Sequence, residues 1–123
     1  MEYNWDFGMI FNSYELWWFK AMLVTLVYAI GTVLVGLFIG IICGTALLAN
    51  RWWINFPIHV YVEIFRCTPV LVQIVWFYFA LPMIVGANLP AWLASGIGLS
   101  LYMGCFSTEI FRGGIISIEK GQW

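Results

Sequence analysis

Two long runs without Asp, Glu, Lys or Arg organise this sequence. The first covers 29 residues from Ala21 to Ala49, and the second covers 42 residues from Cys67 to Thr108. As helix the first is about 43 Å long, more than the ~30 Å hydrocarbon core of a bilayer. It predicts one tilted or protruding crossing over 21–49. The second would be about 63 Å long as helix, which is two crossings with a turn between them. Leu81-Pro82 and the segment from Gly86 to Pro90 supply the breakers. The stretch from Cys67 to Pro82 is short for a full crossing. The second span is therefore expected to begin upstream of Arg66, over 60–82, kinked at Pro69 near its entry. The third is expected over 91–112.

The flanks differ from these runs. Residues 1–20 mix acids (Glu2, Asp6, Glu15) with aromatics such as Trp5, Trp17 and Trp18, and predict an external segment at headgroup level. A secretory signal would instead begin with positive charge ahead of a short apolar core. Residues 113–123 leave the membrane at Gly113-Gly114.

Composition sharpens the class. Hydrophobic residues make up 63% of the 123 positions and charged residues 9%, with a net charge of −1. Soluble domains carry about 25% charged residues. So little charge cannot cover a soluble core of this size, and no basic surface is offered to nucleic acid. An integral, all-helical membrane protein is the class that remains. Arg51, Arg66, Arg112 and Lys120 fall at one set of span ends, and only Lys20 falls at the other. The positive-inside bias then puts the N-terminus outside and the C-terminus in the cytoplasm.

Packing and chemistry add detail. Gly36, Gly40 and Gly44 recur every fourth residue, a small-residue face that predicts a close helix neighbour. Cys43, Cys67 and Cys105 lie far apart in or beside apolar runs, and read as small buried hydrophobes. With a single histidine, His59, no metal site or triad is expected. Glu109 stands three residues before Arg112, on one helical face. An acid inside a membrane segment is costly, so Glu109 either pairs with Arg112 at the interface or lines a hydrophilic path. In the tract from Tyr61 to Gln73, Thr68 is driven from the α region by Pro69, and Pro69 itself lacks a donor. Broken helices of this kind border transport pathways when protein or water satisfies the freed carbonyls. Gln73 projects one turn deeper on nearly the face of Pro69. The alternative is a plain interfacial kink, with Glu63 and Arg66 paired three residues apart. The tetrapeptide Glu-Ile-Phe-Arg occurs at 63–66 and again at 109–112, both at cytoplasmic borders. No nucleotide-binding loop is present, so any ATPase is expected on another chain.

Tyr61-Val-Glu-Ile-Phe-Arg-Cys-Thr-Pro-Val-Leu-Val-Gln73, followed by Trp76-Phe-Tyr-Phe-Ala-Leu-Pro82, resembles the second-span signature of polar amino-acid ABC importer permeases (the histidine, glutamate, glutamine and arginine group). Glu109-Ile-Phe-Arg-Gly-Gly-Ile-Ile-Ser-Ile-Glu-Lys-Gly-Gln122 resembles the run that this family places before its cytoplasmic coupling loop. Cys67 and Glu119 depart from the usual small residue and proline. The resemblance covers about residues 20–123. It implies a type I permease core of three transmembrane helices, truncated before the coupling helix that is expected just after Trp123.

That resemblance implies no enzyme and no cofactor in this chain, with ATP bound by a partner. The implied partners are a second permease subunit, a cytoplasmic ATP-binding-cassette dimer, an extracytoplasmic amino-acid-binding protein and the inner-membrane lipid. Glu109, Thr68 and Gln73 become candidates along the pathway. Arg66, Arg112, Lys120, Gly121 and Gln122 become candidates at the cytoplasmic, ATPase-coupling end. The chain as it stands is expected not to engage an ATPase productively. The alternative reading is an autonomous three-span assembly protein that packs through its glycine face and transports nothing.

Overall fold

The computed structural model describes residues 7–49, 51–86 and 89–118, with 9–16 described as backbone only. Helix α1 runs Phe7–Ala46 and closes in a 3-10 turn at Leu47–Ala49. Then follow α2 (Trp52–Cys67), α3 (Val70–Val85) and α4 (Ala91–Ile116). Every described element is helical. The chain divides into two compact units, 1–30 and 31–123.

In the first unit α1 is already helical at Phe7, so the expected headgroup-level segment is helical from 7 onward and continuous with the span that follows. A run of leucine, isoleucine and valine without proline lets the helix propagate, and hydroxyls cause no break. Thr25 Oγ1 donates to the Ala21 carbonyl at 2.8 Å, four residues back. That geometry absorbs a polar side chain inside an apolar helix. The segment Trp17–Ala49 is long and apolar enough to cross a membrane by itself. Helices α2 and α3 pass the same test only as a pair, and the pair is bent by 108°.

In the second unit α4 is the packing centre. Its buried residues are Ala94, Gly98, Ser100, Gly104, Cys105, Ser107 and Thr108, nearly all small. The glycine face of α1 rests on it. A Cβ on Gly36 would come within 2.5 Å of Met103 Cβ, one on Gly44 within 3.0 Å of Phe111 Cβ, and one on Gly40 would collide with Ser107. Backbones that approach this closely gain dispersion contacts unavailable to bulkier residues. Gly98 leaves room for the ring of Phe77 from α3, and Gly104 for the Tyr61 hydroxyl from α2. That hydroxyl donates to the Leu101 carbonyl. The bulky apolar side chains face outward instead, among them Phe38, Leu71, Phe79 and Met83.

The sequence expectation of one kinked helix over 60–82 gives way to two helices. Pro69 cannot donate to a carbonyl of α2, and Thr68 is extended at φ −100°, ψ 129°, so α2 stops at Cys67 and α3 starts afresh at Val70. Pro82 sits inside α3, and the chain breaks after it at Gly86, whose φ of 69° is the left-handed conformation that glycine adopts without strain. The Gly86 N–H donates to the Pro82 carbonyl at 2.9 Å, closing the helix.

Gly40→Leu is therefore expected to force α1 away from α4 and cost about 1–3 kcal/mol. Gly31→Ala, with nothing within 4 Å of its added Cβ, is the control expected to leave stability unchanged or slightly raised. Thermal unfolding of both variants in detergent checks this. Equal melting temperatures would mean that the glycine face does not bear on α4.

Candidate functional site

The elbow between α2 and α3 collects a cluster of polar side-chain contacts. Its backbone leaves carbonyls without helical partners, and side chains take them up. Thr68 Oγ1 donates to the Ile64 carbonyl at 2.8 Å. Gln73 reaches back from the first turn of α3, its Nε2 donating to the Phe65 carbonyl at 2.8 Å and the Thr68 carbonyl at 2.9 Å. Those two bonds fix which end of the carboxamide is nitrogen. They leave Oε1 buried and without a protein partner, on a side chain only 6% exposed. A buried acceptor of this kind costs free energy until a donor meets it. The rings of Phe65 and Phe77 approach to 6.3 Å between centroids across the bend, covering it with apolar surface.

Charge reaches the same place from α4. Arg66 Nη1 donates to Glu109 Oε1 at 3.0 Å, and the two side chains are 56% and 46% exposed. Neither of the two local pairs weighed as alternatives forms. Glu109 is held by Arg66 rather than by Arg112, and Glu63 accepts from Cys67 Sγ at 3.5 Å rather than pairing with Arg66. The reason is helix placement: Glu109 of α4 lies against the end of α2, where a long guanidinium reaches it without straining its own helix. An ion pair this exposed contributes at most about 1 kcal/mol, so it sets position more than stability. Cys67 is exposed, against its expected burial, whereas Cys105 is buried and Cys43 half-buried.

Thr68, Pro69, Gln73 and Arg66 thus gather at the elbow, and Glu109 joins them through Arg66. Arg112 is exposed near the end of α4, and Gly36, Gly40 and Gly44 serve the contact of α1 with α4. Lys120, Gly121 and Gln122 lie outside the described residues. Sequence reasoning missed the cross-helix pair. Its signal was available in the two Glu-Ile-Phe-Arg copies, which put complementary charges at one membrane border. Also missed was the buried polar row of α4, Ser100, Ser107 and Thr108, in which the Thr108 hydroxyl donates to the Gly104 carbonyl at 2.7 Å.

No family model matches the chain. Individual proteins do. A Rickettsia felis protein named as a glutamine transport system permease protein is 35% identical over 104 residues, 85% of this chain and 48% of its own length. The glutamine transport system permease protein of Escherichia coli is 36% identical over 87 residues, 70% of this chain and 40% of its own. The chain spans about half the length of the curated relatives it matches. Among solved structures, the crystal structure of an amino acid ABC transporter with histidines aligns with a TM-score of 0.84 at 26% identity. That alignment covers 99% of this chain and 55% of the other.

Gln73→Met keeps the length of the side chain and removes its donors, leaving the Phe65 and Thr68 carbonyls bare. It is expected to cost about 1–3 kcal/mol and to open the elbow to protease between Cys67 and Val70. Thermal unfolding with mass mapping of the cleavage products reads both effects. Wild-type stability and protection would show that Pro69 holds the bend without Gln73.

Proposed function

Since the chain belongs to the amino-acid ABC transporter permease family, we propose that it forms part of the membrane pathway of an ATP-driven importer for a polar amino acid. The single observation that carries this reading is the likeness, over most of the chain, to glutamine transport permeases. Their names make glutamine the first substrate to assay. No bond is made or broken by such a subunit. It alternates between outward- and inward-open states, and ATP bound by a separate cytoplasmic dimer shifts the balance between them. An extracytoplasmic binding protein delivers the amino acid, and a second permease subunit completes the pathway.

In this reading the chain is a multi-pass inner-membrane protein with its N-terminus outside and its C-terminus in the cytoplasm. It crosses three times, along α1, along α3 and along α4, with α2 leading into the second crossing. The distribution of arginine and lysine supports that orientation. Glu109, Thr68 and Gln73 face or border the pathway, and their chemistry suits a zwitterionic cargo. A carboxylate attracts an ammonium group, and Gln73 holds the bend beside it, with its Oε1 buried in the elbow. Arg66 and Arg112 hold the cytoplasmic end, while Lys120, Gly121 and Gln122 lead toward the ATPase contact.

The complete permease, reconstituted with its ATPase and binding protein, tests this reading through ATP-dependent glutamine uptake. Glu109→Gln is expected to lower uptake several-fold while insertion and melting temperature stay near wild type. The exposed Arg66 pair is worth at most about 1 kcal/mol. Unchanged uptake at normal expression would reduce Glu109 to an ion-pair partner of Arg66.

A further inference from the structure

Helix α2 has three faces. Its inner face presents Tyr61, Val62 and Phe65 to the rest of the second unit, with Val62 buried and the two rings half-buried. Beside it runs a narrow exposed polar strip of His59, Glu63 and Arg66, at helical spacing. The third face is apolar and equally exposed: Trp53, Phe56, Val60 and Ile64, with Trp53 82% exposed. Water suits the strip and hydrocarbon suits the apolar face. A helix about 10–12 Å across meets both only at their boundary.

Direction and length agree with that placement. Helix α3 carries no charge over its 16 residues and turns from α2 through 108°. If α3 crosses the bilayer at an ordinary tilt of about 20°, the 108° bend leaves α2 between flat and about 38° from the membrane plane, never upright. An upright α2 would separate the flanking Arg51 from Arg66 by about 22 Å along the membrane normal, driving one of them toward the hydrocarbon. A flat α2 keeps both at one level, where guanidinium groups meet lipid phosphates and Trp52 and Trp53 sit in the aromatic belt. Chain continuity gives the same level. Helix α2 joins the end of the α1 span to the start of α3, so both its ends belong to one side of the membrane.

We propose that α2 is an in-plane amphipathic helix at the cytoplasmic membrane boundary, with Trp53, Phe56, Val60 and Ile64 seated among lipid acyl chains beneath the headgroups. It rests on the reading of α1 and α3 as membrane-crossing, and it assigns the second crossing to α3 alone. At about 24 Å, α3 is a short crossing, which local thinning of the bilayer accommodates.

Lipid photolabelling of the unmodified chain tests the placement, in vesicles of phosphatidylethanolamine and phosphatidylglycerol. One lipid carries its photoreactive group beside the headgroup and another carries it at the end of the acyl chain. The labelled peptides are then mapped by mass spectrometry. The shallow probe is expected to label α2 and the deep probe to spare it, while α3 is labelled by the deep probe. Deep labelling of both helices would overturn the in-plane placement alone. Loss of deep labelling from α3 would overturn the spanning reading and the placement with it. An α2 labelled by neither probe would mean that protein covers the apolar face, which also overturns the proposal.

Spin labels at Trp53→Cys and Ile64→Cys, in a background with the native cysteines changed to alanine, give the slope directly. The two depths are expected to differ by at most about 10 Å, against about 16 Å for an upright helix. The larger difference would overturn the placement.

Discussion

The close approach of other helices to the small residues of α4 is the constraint on which the second unit depends. Lipid tails are as apolar as leucine, so burying bulky hydrophobes between helices gains nothing over leaving them in lipid. What remains is contact between backbones, and that needs positions without bulk. Gly36, Gly40 and Gly44 supply them on α1, Ser100 and Ser107 on α4, while Gly98 and Gly104 let Phe77 and Tyr61 settle from α3 and α2. The result inverts a soluble core. Small and hydroxylic residues make up most of the inside, beside Leu47, Val62 and Phe77, and the other described bulky apolar side chains are mostly exposed.

The elbow depends on the same backbone rule in another form. Breaking a helix within a membrane frees carbonyls that lipid cannot satisfy. Thr68 takes the Ile64 carbonyl, and Gln73 takes those of Phe65 and Thr68, so the bend is closed by two side chains from within six residues. Because α2 ends where it does, Arg66 arrives beside Glu109. The local break and the cross-helix charge contact are thus one structural event, set by Pro69 and anchored on α4.

Much of this was legible in the sequence because it follows from period and steric rules. Four-residue glycine spacing announces a helix neighbour, and Thr68-Pro69 announces a break. The turn between α3 and α4 is announced by Gly86 to Pro90. The bend angle was not legible. Proline removes a donor and a conformation but does not say how far the next helix swings, which Gln73 and the packing of Phe77 on Gly98 decide. The ion pair escaped because three-residue spacing offered each charge a nearer mate on its own helix. Only the placement of α4 against α2 overrides that offer. The start of α1 escaped for a related reason: acids and aromatics mark an interface by composition, yet they are compatible with helix as well as with loop.

The exposure of the Arg66–Glu109 pair bears on what Glu109 does in a permease. A buried pair would be expensive to part, because each charge would be left desolvated and alone. Here both side chains are about half exposed, so giving up the contact costs less than parting a buried pair. A carboxylate that exchanges partners cheaply can meet a passing ammonium group without trapping it, whereas a deeply desolvated one would hold it. Gln73 differs, since its donors are committed to the elbow and only its acceptor is free. In the permease reading the two residues therefore divide the work. Gln73 holds the bend with both donors, and in the proposed pathway Glu109 would offer a charge whose attachment is loose enough to be remade.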